Sequence, residues 1–296
     1  MPATDRPPGG HREPPAPRRS QRWPEAMTDG VQFEVIPLAG VLDEARAHLP
    51  AGARLTVTAS PRQGLEATVA TACALAAAGF SVVPHLAARQ IPAAAALQQM
   101  LDELADSGIK ELFVIAGDAS QPAGPFEGAL DLLTAIGGSG HDFRLGVGAY
   151  PEHHPFAATP AAAMDLLQQK AQHASYLVTQ LCFDADTLLD WLRALREHGI
   201  ELPVRPGIAG PIDLGRLLRI GTRVGVGPSL RLLAKRSSGV RQLIGHGSWS
   251  PDPLLAELAP AYQQPTLALA APHVFTFNAL ETTGAWWRAL RGAKER

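Results

Sequence analysis

The sequence predicts an α/β fold, a (β/α)8 TIM barrel forming a single domain, on three observations. From Val31 onward, eight short apolar runs alternate with helical patterns, with turn residues at the joins. Gly79, Gly108 and Gly199 stand where helices should end, each just before the next strand. Polar residues gather at the C-terminal ends of the strands, the face on which such barrels build their sites. A chain of 296 residues, 46 % apolar, is sufficient for one large core.

In chain order the expected strands are Gln32–Ile36, Arg54–Thr58, Ser81–His85, Glu111–Ile115, Arg144–Ala149, Tyr176–Thr179, Pro203–Pro206 and His273–Phe277. Continuous apolar character fits a parallel sheet covered on both faces. The helical patterns are Val41–His48, Gly64–Ala78, Ala93–Ser107, Phe126–Ile136, Ala161–His173, Ala185–His198 and Leu214–Ile220. Another begins near Pro253, and Leu280–Leu290 is the last. Between Ile220 and His273 the spacing loosens around Gly221, Gly225, Gly227, Pro228 and Gly247, which predicts extra helices and a long loop.

Residues 1–29 are rich in Pro and Arg and poor in aliphatic side chains, so they read as a disordered tail, with residues 30–296 as the catalytic barrel. A start at Met27 is the alternative. Five arginines in this tail are balanced by four acids, which argues against a nucleic-acid arm. The net charge of −2 likewise predicts neither nucleic-acid nor membrane partners. No apolar stretch is long enough for a bilayer span or a signal peptide, and Cys73 and Cys182 lack metal or redox spacing. A cytoplasmic protein is the simplest reading; the oligomeric state is not legible.

The strand ends bring Glu34, Thr58, His85, Asp118, Tyr150 with Glu152 and His154, Gln180 and Asn278 towards one mouth. Glu34 lies inside the apolar run Phe33-Glu34-Val35-Ile36, where a carboxyl group can keep a proton and give it up as a general acid. Its structural alternative is pairing with an arginine such as Arg205. Asp118, after Ile115-Ala116-Gly117, can accept from ring N–H groups, or else cap a helix or form a turn. Gln180 offers donors and an acceptor to the mixed edge of a pterin or flavin, or simply bridges loops. The run Tyr150-Pro151-Glu152-His153-His154-Pro155 reads as a stiff ligand-contacting loop, with no metal expected because only His141 is a loose third ligand. Trp286 and Trp287 read as packing residues, and Arg231, Lys235, Arg236 and Arg241 as a solvated face. Gly225-Val226-Gly227 lacks the context of a dinucleotide fingerprint.

These landmarks resemble the methylenetetrahydrofolate reductase family. Phe33-Glu34, Pro84-His85-Leu86, Gly117-Asp118, Tyr150 to Pro155, Thr179-Gln180-Leu181-Cys182-Phe183-Asp184, Pro206-Gly207-Ile208 and Phe275-Thr276-Phe277-Asn278 appear in the family's order. The resemblance implies reduction of 5,10-methylenetetrahydrofolate to 5-methyltetrahydrofolate by NADH or NADPH, passed in the family through FAD. It implies Glu34 as the acid that helps open the imidazolidine ring, Asp118 and Gln180 as the pterin pair, and Phe183 and Asn278 beside the substrate. Thr58, His85, Tyr150, His154 and Lys170 fall at its cofactor positions.

The departures concern the cofactor. The family's Arg-Gly-Asp begins here with Ala116, its basic pair after strand five is Gln169 and Lys170, and its Tyr-Gly-Ala loop is Ala59-Ser60-Pro61-Arg62. Ile220 replaces a phenylalanine of helix seven. Each lost charge-assisted contact to a pyrophosphate removes about 1.5–3 kcal/mol, which Arg62 offsets only in part, so weak FAD binding or none is expected. A folate- or pterin-binding barrel without reductase activity, either a methyl-transfer partner or a silent paralogue, is the alternative function.

Overall fold

The computed structural model describes residues 23–154, 157–221 and 248–292. Helix α1 (Glu25–Thr28) precedes β1 (Gln32–Val35), α2 (Val41–His48), β2 (Arg54–Val57), α3 (Gly64–Ala77) and β3 (Ser81–Ala87). Then come α4 (Ala94–Asp106), β4 (Glu111–Ile115), α5 (Ala129–Gly137), β5 (Arg144–Ala149), α6 (Pro160–Ala171), β6 (Tyr176–Leu181), α7 (Ala185–Glu197) and β7 (Val204–Ala209). A two-stranded antiparallel ribbon, β8 (Ile212–Asp213) with β9 (Ser248–Trp249), flanks α8 (Leu214–Gly221). After the helix Asp252–Leu258 the chain enters β10 (His273–Phe275) and ends its described part in the helix Leu280–Gly292. Strands β1 to β7 and β10 close into an all-parallel barrel, as the sequence predicts. No helix among the described residues is long and apolar enough to cross a membrane.

The core lies between strands and helices. Outward-facing Leu55, Val57, Leu112, Val114, Val147, Leu177 and Val274 are buried against Leu75, Leu101, Leu132 and Leu192 of the helices. Trp287 meets Phe33 edge-on at 5.8 Å, and Trp286 donates from its indole to Asp252 at 2.7 Å, so both tryptophans pack as expected. Helix starts carry their own chemistry. Thr159 accepts from the Ala162 N–H ahead of Pro160, and Asp184 accepts from Thr187. Helix α5 starts three residues later than expected because the Asp131 carboxylate takes the N–H groups of Glu127 and Gly128.

Strand β7 runs past Pro206 where the sequence reading stopped. Pro206 has no N–H to give, so the β6–β7 ladder shifts register between Val178 and Leu181. Gly207 N–H reaches the Thr179 hydroxyl instead, at 2.8 Å. The β8–β9 ribbon is not legible in the sequence. Trp249 anchors it, buried and donating to the Ala209 carbonyl at 3.1 Å. The basic cluster at 231–241 and the Gly225-Val226-Gly227 run lie outside the described residues.

The strand starts form the barrel bottom. Arg54 forms a salt bridge with Glu111, and the Arg54, Arg144 and Arg205 guanidinium carbons lie 5.9, 6.0 and 5.8 Å from the Tyr176 ring centre. Arg205 donates to the carbonyls of Gly30 and Ala271 at 2.8 and 3.0 Å. Burial and the neighbouring Arg54 pull its pKa down to about 10. The expected alternative of an Arg205–Glu34 pair is therefore corrected: the register places Arg205 at the opposite end of the barrel interior.

The boundary of the tail also moves. The sequence reading placed residues up to 29 in it, but α1 is ordered within the fold and Met27 is 0 % exposed. A four-residue helix anchored by buried Met27 and Thr28 is not legible against the surrounding Pro/Arg composition. Residues 1–22 lie outside the described part. Met27→Ala is expected to lower unfolding free energy by about 2–5 kcal/mol in denaturant titration, as for other buried methionines. A loss below about 1 kcal/mol would show that α1 is not part of the core.

Candidate active site at the barrel mouth

Glu34 is the centre of the interior polar cluster. It points inwards from β1, whose neighbours Phe33 and Val35 face the helices, and its side chain is 14 % exposed. Its Oε2 lies 3.1 Å from His273 Nε2 and 3.8 Å from His85 Nε2. His85 is 5 % exposed and packs on Phe113 with ring centres 4.7 Å apart. Burial pulls its pKa down to about 4 against the pull of Glu34, so it is neutral at neutral pH. His273, which the sequence reading treated only as a strand start, is 1 % exposed. Its alternation with Phe275 along β10 was visible, but its meeting with Glu34 depends on the β1–β10 register.

The last strand is clasped to the first just above this pair. Thr276 donates its hydroxyl to the Glu34 carbonyl. Asn278 accepts from the Ile36 N–H at 2.7 Å and donates to the Ile36 carbonyl at 3.0 Å. Phe277 and Asn278 both take left-handed backbone angles, φ 52° and 58°, to make the turn. Asn278 was expected against substrate; the structure instead commits its amide to Ile36. Phe183, also expected at the substrate, is buried edge-on against Trp249 at 5.2 Å, in an apolar cluster with Leu181, Ala209 and Phe275.

Asp118 and Gln180 remain near the mouth. Asp118 is exposed after Gly117, whose φ of 89° and approach to Ala87 (3.0 Å from an added Cβ) leave no room for another residue. No helix starts at Asp118, so capping is not its role. Its charge, after burial, raises the Tyr150 pKa, which sets the two side chains near one another. Gln180 uses Oε1 to accept from its neighbour's N–H, Leu181, at 2.9 Å. Thr58 is half-buried at the end of β2, with its carbonyl held by the Thr68 hydroxyl at 2.9 Å.

Three expected cofactor residues share one cavity of about 330 Å³ between the β5 loop, α6 and α7. Tyr150 and His154 meet edge-on at 4.6 Å, and His154 Nδ1 accepts from Ala157 N–H at 3.0 Å. Burial, then the charges of Lys170 and His153, lower the His154 pKa. Lys170 is 6 % exposed, donates to the Gly148 carbonyl at 3.2 Å, and is pushed down to about 8 by burial. Trp191 of α7 and His198 just beyond its end complete a wall that the sequence does not signal. Thr58, His85 and Glu34 do not line this cavity. His141, weighed earlier as a metal ligand, bonds Asp102 and Gln98 instead.

A dinucleotide with a pyrophosphate would meet little positive charge here. Ala116 carries none, Gln169 is exposed beside the cavity, and Lys170 is buried and donates to the Gly148 carbonyl. These residues do not fit the strong phosphate clamp that a resident FAD needs.

The family model for methylenetetrahydrofolate reductase matches residues 37–225. The chain belongs to the methylenetetrahydrofolate reductase family. Relatives in this family include "Methylenetetrahydrofolate reductase 2" of Saccharomyces cerevisiae, 29 % identical over 141 residues, which are 44 % of this chain and 23 % of that protein. The "5,10-methylenetetrahydrofolate reductase" of Pectobacterium carotovorum is 30 % identical over 154 residues, half of each chain. The chain thus spans about half, or less, of the length of the curated relatives it matches. Among solved structures, a Clostridium thermocellum protein described as binding two copies of 5-methyl-5,6,7,8-tetrahydrofolic acid has the same fold, with TM-score 0.63 and 12 % identity over 91 % of this chain and 96 % of that one. A GH18 chitinase from Pseudoalteromonas aurantia also shares the barrel, at TM-score 0.54 and 11 % identity over 88 % and 99 % of the two chains.

Neutral, buried His85 gives the fold a pH dependence. Between 6.5 and 4 the unfolded imidazole takes up a proton that the folded one refuses. Stability is therefore complete above 6.5 and lost as pH falls through 4, by on the order of 3 kcal/mol. His85→Gln should flatten that stretch of a stability-versus-pH curve. An unchanged slope would assign the acid sensitivity to other groups.

Proposed function

We propose that this protein reduces 5,10-methylenetetrahydrofolate to 5-methyltetrahydrofolate, taking hydride directly from NADH or NADPH. The observation that carries this reading is Glu34, a carboxyl group held under the mouth of a barrel in this family, with His85 and His273 on one oxygen. Simple ligand binding has no need of a buried acid. Its proton goes to the folate nitrogen that leaves the one-carbon unit, opening the five-membered ring to an electrophilic iminium at the other nitrogen. Hydride from the nicotinamide then reduces that carbon to the methyl group. One hydride and one proton enter, and the oxidised nucleotide leaves.

Asp118 and Gln180 orient the pterin in this scheme, Asp118 by accepting ring N–H groups and Gln180 through the amide N–H groups that its bond to Leu181 leaves available. The nicotinamide nucleotide lies along Tyr150, His154 and Lys170. Folate and nucleotide bind together, with the reacting carbons about 3–3.5 Å apart. A nucleotide that binds and leaves in each turnover needs a weaker pyrophosphate clamp than a resident flavin, and the sparse cations of the groove suit the former. A binding-only barrel is the second reading, favoured by the reduced folate held in the Clostridium thermocellum barrel of the same fold.

Purified protein should oxidise NADH or NADPH only when methylenetetrahydrofolate is present, with sequential kinetics and no flavin band in its absorption spectrum. A yellow preparation with stoichiometric flavin, or NADH oxidation by an artificial acceptor without folate, would rule out direct transfer. Glu34→Gln should lower turnover by about 10²–10⁴-fold while folate affinity changes far less. Near-normal turnover in that variant would make Glu34 structural. Asp118→Asn and Gln180→Leu should each weaken folate binding, by about 1–3 kcal/mol where a ring group loses its partner. Unchanged affinity in both would remove them from the pterin site.

A further inference from the structure

The two oxygens of Glu34 are not equivalent. Both imidazoles approach the same atom, Oε2, and neither is paired with Oε1. The His273 contact is a hydrogen bond at 3.1 Å, whereas His85 stands back at 3.8 Å. His273 is also the more deeply enclosed, and it is held in place from both sides. It pairs in register with Gln32 of β1 and Gly207 of β7, and its ring meets Phe275 edge-on at 4.8 Å.

A neutral imidazole donates from one nitrogen and accepts at the other. Nδ1 of His273 is buried with no partner among the described residues, and so is the hydroxyl of Thr56, which pairs in register with Glu34. Gln32, fully buried on the same face, lies between them in the strand order. A carboxylate oxygen can only accept, so the 3.1 Å contact of Oε2 with Nε2 selects the tautomer with hydrogen on Nε2.

We propose that His273 is a positioning residue for proton transfer, whose Nε2–H occupies Oε2 of Glu34 and leaves Oε1 as the oxygen that carries the transferable proton. This rests on reading Glu34 as the acid. A carboxyl group free to place its proton on either oxygen would spend part of its time aimed away from the substrate. Holding Oε2 removes that freedom, and the geometric gain appears in kcat and not in folate affinity. The same bond stabilises the carboxylate left after the proton has gone.

The surroundings limit other causes of a pH effect. From β3 only His85 faces Glu34, and burial keeps it neutral. Below, Arg54 of β2 is neutralised by Glu111 of β4, while Arg205 of β7 and Tyr176 of β6 close the bottom of the barrel. At the rim, the charge of Asp118 adds to burial in raising the Tyr150 pKa.

The test compares wild type, His273→Phe and His273→Gln for folate-dependent NADH oxidation across pH, with folate affinity measured separately. His273→Phe should lower kcat about tenfold or more, change folate affinity by less than about threefold, and move the alkaline limb of the kcat profile upwards by about one pH unit, because the carboxylate has lost its donor. His273→Gln places an amide N–H near Nε2 and should return the limb towards its wild-type position. Nitrogen-15 NMR of histidine-labelled wild type should find His273 protonated on Nε2 and unprotonated on Nδ1, a readout that does not depend on any variant folding. An active wild type whose pH profile is unmoved by His273→Phe, or a His273 protonated on Nδ1, would overturn the proposal. A wild type with no folate-dependent activity would instead overturn the reductase reading, and the NMR result would still decide whether Oε2 is held.

Discussion

Closure of the barrel between its first and last strands is the constraint on which the site depends. Strand β10 is three residues long, yet its register against β1 sets which of its side chains face inwards. A slip of one residue would turn His273 towards the helices and bring Val274 to Glu34. Thr276 and Asn278 prevent that slip by gripping the backbone of Glu34 and Ile36. The clasp needs two residues in left-handed conformations, a local cost of about 1–3 kcal/mol each that the tertiary contacts must offset. Backbone strain and site geometry thus meet in three consecutive residues, Thr276 to Asn278.

Along the barrel axis the interior changes character in layers. Arginines surround Tyr176 at the bottom, Val83, Phe113 and Val178 form an apolar middle, and Glu34 with its two histidines lies towards the mouth. On β1 and β2 the interior is polar as well, with Gln32 and Thr56 fully buried beside Glu34. The groove beside β5 is sparsely charged: one largely enclosed lysine stands where a tight pyrophosphate site would use several cations.

The order and extent of the βα units are legible because each strand is an apolar run bounded by a turn signal. The ends of β1, β2, β4 and β5 fall within a residue of their expected places. Pro206 misled at β7, where a bulge lets the strand continue past a missing donor. Glu34 stood out as a charge inside an apolar run, and that signal is local. His273 did not, since a histidine opening a strand looks ordinary until the register brings it beside a partner. Asn278 and Phe183 illustrate the converse: their positions suit a substrate role, but their atoms are committed to Ile36 and Trp249. Residue type and strand position indicate which side chains reach the mouth. Which of them remain available there depends on contacts between distant segments.

Glu34 and His273 are 239 positions apart in the chain. The pair cannot exist in any chain that lacks β10. Contacts of such long sequence separation also form late in folding, after the local βα units have assembled. A barrel interrupted before β10 could retain most of its helices and look native by circular dichroism, yet have no ordered acid. The meeting of Glu34 with His273 is therefore a property of the finished ring alone.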